Sequence, residues 1–182
     1  MATKLYQSRL FLFIVALKLA LLAIFSSGYK DLLFVPFVNF FISTWENPWQ
    51  YFYDNHLPNS FPYPALMLYI LSPFQLLSGL FENLLMQNLL FKLPLLLSDI
   101  VILVVLLKMY PHRPKAIIAF YFASPIIIYA CYIHSQLDLI PTAFLIVSLY
   151  FLLRGKIVLS SLVFGMAISV KPKFRKYRSL KT

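Results

Sequence analysis

Charge, glycine and cysteine are scarce in this sequence, and each scarcity removes a class of protein. Aspartate and glutamate together number six, and charged residues fill 12% of the 182 positions, about half the share that a soluble domain uses to cover itself in water. A water-soluble globular fold is excluded. One cysteine, Cys131, rules out an intrachain disulfide scaffold, and two possible neighbours do not complete a zinc site around it. Four glycines leave neither a Gly-rich phosphate loop nor a nucleotide fingerprint, so no metal and no cofactor is expected. What is abundant is apolar. The chain is 61% hydrophobic and 18% aromatic, with a mean hydropathy of +0.80. Its twelve prolines and eighteen phenylalanines lie among long apolar runs, the usage of membrane helices rather than of alternating barrel strands. The expected fold class is all-α, a polytopic membrane helix bundle.

The formal charge of +10 is unevenly spread. Six of the sixteen basic residues, from Lys171 to Lys181, occupy the last twelve positions. On a lipid-embedded chain such a patch meets lipid head groups, so membrane lipids are expected partners and nucleic acid is not. A spanning helix needs about 20 mostly apolar residues, and six stretches suggest themselves, at 10–25, 64–81, 89–107, 116–133, 139–153 and 157–170. The first reads as an uncleaved helix with a cytoplasmic amino terminus, interrupted by Lys18. Between the first two lies a loop at 26–63, rich in Trp, Tyr, Pro and Asn and holding three of the acids, with Phe34, Phe37, Phe40 and Phe41 at helical spacing. That pattern predicts an amphipathic helix lying in the interface within the first external loop. Orientation is contradictory. Simple alternation of six spans places the basic loop at 108–115 outside, against the positive-inside rule. The stretch at 64–107 is the suspect, because Pro73, Pro94 and the polar run at 82–88 can break a helix or make a re-entrant turn.

Ionisable groups at membrane depth are costly, so each invites a function. Two roles fit Asp31, just past the first apolar run: an interfacial acid paired with Lys30, or a general base at the bilayer surface. Asp99 lies inside an apolar helix, seven positions after Lys92, and reads as glue between helices. The string Tyr132-Ile133-His134-Ser135-Gln136-Leu137-Asp138-Leu139-Ile140-Pro141 sets polar side chains between two apolar spans. His134 and Asp138 share a helix face or converge at a turn, and a plain polar connector is the simpler alternative. Lys171 ends the last apolar run, either as a snorkelling lysine or as a point-charge anchor for a phosphate.

In order along the chain, Tyr29-Lys30-Asp31, Asn47-Pro48-Trp49, Phe61-Pro62-Tyr63-Pro64, Phe91-Lys92-Leu93-Pro94 with Ser98-Asp99, Ser124-Pro125-Ile126, the His134 to Pro141 string and Gly165 to Lys171-Pro172 resemble the GT-C superfamily of integral membrane glycosyltransferases. The likeness is to its polyprenyl-phosphate-sugar-dependent branch of mannosyl- and glucosyltransferases. It implies hexose transfer from a polyprenyl-phosphate donor to a lipid-linked or other acceptor at the external or lumenal face. It also implies Asp31 as the catalytic acid of the first external loop, and His134, Gln136, Asp138 and Lys171 as substrate-binding residues. Leu33 stands where some relatives carry a second acid, which argues for metal-independent chemistry. The resemblance covers residues 1–172 as a truncated, amino-terminal part of the family, followed by a basic tail at 173–182. A partner subunit supplying further helices is thus implied, in a bacterial or archaeal plasma membrane or the endoplasmic reticulum. The alternatives are a non-enzymatic membrane subunit or inactive truncated paralogue, and a small transporter subunit using Asp99, Lys92 and His134 as a polar path.

Overall fold

A computed structural model of the protein describes residues 9–58 and 60–171; the basic tail at 173–182 lies outside them. The described residues are helical and contain no strand. Helix α1 is Arg9–Ile24, whose buried residues Phe11, Ile14, Lys18 and Leu22 fall at three- and four-residue spacing on one face. It stops at Ser26, Ser27 and Gly28, and α2, Tyr29–Thr44, departs at 59° to it. The first turns of α2 are π-helical, over Tyr29–Phe34. Pro36, in the first turn of the regular helix that follows, lacks the N–H that an α-helical bond would need, and a widened turn accommodates it. Helix α3, Pro48–Asp54, starts where Asn47 Oδ1 accepts the N–H groups of Trp49 at 3.1 Å and Gln50 at 3.5 Å.

Helix α4 is Ala65–Ser78 and α5 is Leu84–Met109. Both proline positions suspected of breaking helices, Pro73 and Pro94, lie inside continuous helix. The break comes instead at 79–83, and Asn83 caps α5 by accepting the N–H of Leu85 at 2.8 Å. Helix α6, Pro114–Ile133, is interrupted at Ala123 and Ser124 before Pro125. Helices α7, Leu139–Leu153, and α8, Ile157–Val170, form a hairpin. Its turn needs Gly155 at φ +72°, in the left-handed region. The hairpin is pinned by Ser148 and Ser160, each of whose hydroxyls donates to the other's carbonyl at 2.9 Å. Replacing Ser148 with alanine is expected to lower stability by about 0.6 kcal/mol, the usual worth of a bond between membrane helices; a shift in thermal midpoint in micelles checks it.

Two helices, α5 and α6, are long and apolar enough to cross a membrane, and the bent pair α1 and α2 makes a third if it is one span. The expected six are not reached by length, since α4, α7 and α8 have 14, 15 and 14 residues. Helix-ending Gly79 and the Arg154, Gly155 and Lys156 turn cut these runs short. The phenylalanine stripe of α2 is also turned inward. Phe37 stacks on Phe61 at 4.7 Å and Phe40 on Tyr51 at 4.0 Å, within an aromatic cluster that α2 shares with α3 and residues 61–63. Phe34 and Phe37 are buried in this cluster, and Phe40 and Phe41 pack at its edge, partly exposed.

Paired contacts order the bundle. Phe11 packs with Leu103, Lys18 reaches Asp99, and Phe25 meets Lys92, so α1 and α5 run antiparallel. Lys92 also reaches the Tyr132 carbonyl, at the far end of α6. Residues 28–83 therefore leave α1 and rejoin α5 at the same end of the bundle. At the opposite end lie Arg9, Lys108, Arg113, Lys115, Arg154 and Lys156, with no acid in the stretches 9–15, 103–118 and 148–160 that form it.

Candidate functional site

The break after α1 exposes backbone groups that a membrane helix must satisfy internally. Phe25 O accepts from Lys92 Nζ at 2.5 Å, and Ala23 O accepts from Asn88 Nδ2 at 3.2 Å. Asn88 Oδ1 in turn accepts from Lys30 Nζ at 2.8 Å. Lys92, fully buried, also donates to Tyr132 O at 3.4 Å, so one ammonium ties the end of α1 to the end of α6. Lys92, seven positions before Asp99, makes no ion pair with it. Asp99 instead meets Lys18 Nζ at 2.5 Å, Tyr121 OH at 2.7 Å and Tyr132 OH at 2.5 Å.

This staple sets Tyr29, the first residue of α2, beside the bend at 134–138. Its ring meets His134 edge-on at 5.7 Å, and Tyr129 stacks on His134 from the other side at 6.4 Å. Ser135 turns the chain through φ +61°, and Asp138 closes the bend in an ion pair with Lys171 from the end of α8. A cavity of about 250 Å³ opens between these elements. His134, Gln136 and Asp138 from one bend line it with Lys171 from the end of α8, together with Tyr29 and Tyr63. Burial first, and the Asp138 carboxylate second, push the Tyr63 phenol up to about 12, so it remains a hydrogen-bond donor.

Asp31 is not among the lining residues. Its side chain is 49% exposed, and both oxygens are engaged: Oδ1 by Lys30 Nζ at 2.6 Å and Oδ2 by Ser26 Oγ at 2.5 Å. The interfacial ion pair is the geometry observed for it.

Sequence reasoning missed two residues. Ser135 is 2% exposed, lines the cavity, and its Oγ has no hydrogen-bond partner among the described residues. An orphaned buried hydroxyl costs about 1–3 kcal/mol, and this one borders the cavity, where a bound polar group can reach it. Tyr63 was hidden between two prolines that read as punctuation. No three of His, Cys, Asp and Glu converge among the described residues, and Cys131 is buried in the core.

A second hollow, of about 520 Å³, shares Asp138 and Lys171 with the first and continues between α7 and α8 along Leu145, Phe164 and Ile168. The Asp138–Lys171 pair thus stands at the junction of a polar chamber and an apolar groove. The shape accommodates an amphiphile with a polar or anionic head and a hydrocarbon tail. Comparison of the chain with protein-family models, curated proteins and solved structures finds no match.

Proposed function

We propose that the chain is a membrane module of GT-C-like glycosyltransferase type that takes a hexose on a polyprenyl phosphate and presents it to a lipid-linked or other acceptor. The single observation that carries this is the convergence of Tyr29, His134, Gln136 and Lys171 on one cavity that continues into an apolar groove. In this reading the polyprenyl chain lies between α7 and α8. Its phosphate takes Lys171 in exchange for Asp138, whose freed carboxylate accepts from a sugar hydroxyl, and Ser135, Gln136 and Tyr63 supply further hydrogen bonds. Helices α1, α5, α6, α7 and α8 are the crossings, and 28–83 is an external segment that returns to the face it leaves. The basic end is cytoplasmic.

Two measurements test the proposal. In nanodiscs, Lys171→Met is expected to weaken retention of a polyprenyl-phosphate hexose about tenfold or more, the worth of one charged hydrogen bond; unchanged retention removes the donor site. In a Cys131→Ser background, an impermeant maleimide is expected to label Gln136→Cys from outside intact cells and to leave His112→Cys unlabelled. The reverse pattern inverts the orientation.

One observation favours the non-enzymatic alternative. Asp31 is not among the residues lining the cavity, and Lys30 and Ser26 each engage one of its oxygens, as suits a lipid-binding subunit that does no chemistry.

A further inference from the structure

The four described lysines at and above the middle of the bundle are all engaged: Lys18 with Asp99, Lys30 with Asp31 and Asn88, Lys92 with two carbonyls, and Lys171 with Asp138. At the other end the pattern reverses. None of Arg9, Lys108, Arg113, Lys115, Arg154 and Lys156 has an ion-pair partner among the described residues, and all six of the chain's acids lie in other stretches. A helix C-terminus favours a nearby cation, which accounts for Lys108 in the last turn of α5 and Arg154 just past α7. It does not account for the hollow they share. A cavity of about 220 Å³ opens where these two helix ends meet, walled by Lys108, Met109, Tyr110, Tyr150, Leu153 and Arg154. The Arg154 guanidinium lies 5.3 Å from the centre of the Tyr150 ring; such stacking fixes the plane of the group while leaving its edge N–H donors open.

We propose that this cavity binds the phosphate headgroup of an anionic phospholipid, at the end of the bundle opposite the polar chamber. Two unpaired cations from different helices supply the charge, two tyrosine hydroxyls supply neutral donors, and Met109 and Leu153 form an apolar flank suited to the first carbons of an acyl chain. That flank, and a position at the ends of membrane-length helices, favour a lipid over a soluble anion. The site is independent of the sugar-donor reading and stands if that reading fails.

The test compares phosphatidylglycerol, phosphatidylcholine and inorganic phosphate for binding to purified protein in neutral micelles, by native mass spectrometry and by shift of thermal midpoint. Phosphatidylglycerol is expected to bind and raise the midpoint, with neither effect from phosphatidylcholine or from millimolar phosphate. Lys108→Gln with Arg154→Gln is expected to weaken phosphatidylglycerol binding about thirtyfold, roughly fivefold for each cation. Arg113→Gln with Lys115→Gln, at the same end outside the cavity, is expected to change it less than fivefold. Both doubles are expected to lower the midpoint of the unliganded protein by a few degrees at most, because none of these side chains makes an ion pair among the described residues and only helix-end and ring contacts are lost. Equal losses from the two doubles would mean diffuse surface attraction and overturn the site. So would binding of phosphatidylcholine with equal strength, or an equal shift from inorganic phosphate.

Discussion

Replacing Asp99 with leucine is expected to cost about 3–5 kcal/mol of stability, the penalty for removing one partner of a buried ion pair. Lys18→Met is expected to cost less. The difference follows from what each removal leaves behind. Asp99 is the node of the network and accepts from Lys18, Tyr121 and Tyr132. Without it, a fully buried ammonium is left with the faces of Phe122, 3.7 Å away, and Tyr132, and two phenols lose their acceptor. Without Lys18, two tyrosine donors still serve the carboxylate. Combining Lys18→Met and Asp99→Leu removes both charges and is expected to recover part of the loss, since a charge pair replaced by apolar groups is often neutral. Adding Tyr121→Phe and Tyr132→Phe removes the remaining unpaired donors and is expected to recover more. Thermal or denaturant midpoints in micelles order the variants. If the double variant costs the sum of the two singles, the groups are not coupled and the network does not act as one unit.

Asp31→Asn is expected to lower hexose transfer by about 10²–10⁴-fold, the usual contribution of a general base, with donor retention unchanged. The geometry sets a condition on that role. An acceptor hydroxyl that approaches from the side of Ser26 requires Asp31 to release that serine, whose hydroxyl Oδ2 receives at 2.5 Å. The acceptor hydroxyl then occupies the position Ser26 vacates, while Lys30 holds the other oxygen. Ser26→Ala is accordingly expected to leave transfer intact or raise it a few-fold, in contrast to the large loss expected for Asp31→Asn. If transfer from a polyprenyl-phosphate hexose is unchanged by Asp31→Asn, the carboxylate is only an interfacial partner for Lys30, and the module binds lipid without doing chemistry. Because retention of the donor depends on Lys171 and transfer on Asp31, the two parts of the proposal fail separately.

Helicity and membrane character were legible in composition and in the length of the apolar runs, since both depend on local hydropathy. So was the polar interruption at 134–138, where four polar residues separate two apolar stretches. Crossing number was not legible, because apolar runs continue through segments whose helices stop after 14 or 15 residues.

The sequence by itself determined the all-helical, apolar character of the chain, because a side chain's preference for lipid, water or protein is its own property. Which buried polar groups meet is a property of packing. Asp99 chose Lys18 over Lys92 because antiparallel α1 brings Lys18 level with it, while Lys92, two helical turns away on the same helix, is drawn to the carbonyl that the end of α1 leaves free. The same packing decided that the 28–83 segment returns to its starting end and that six basic residues gather at the other. It also decided that the Ser135 hydroxyl, ordinary in sequence, stands unpartnered in a cavity.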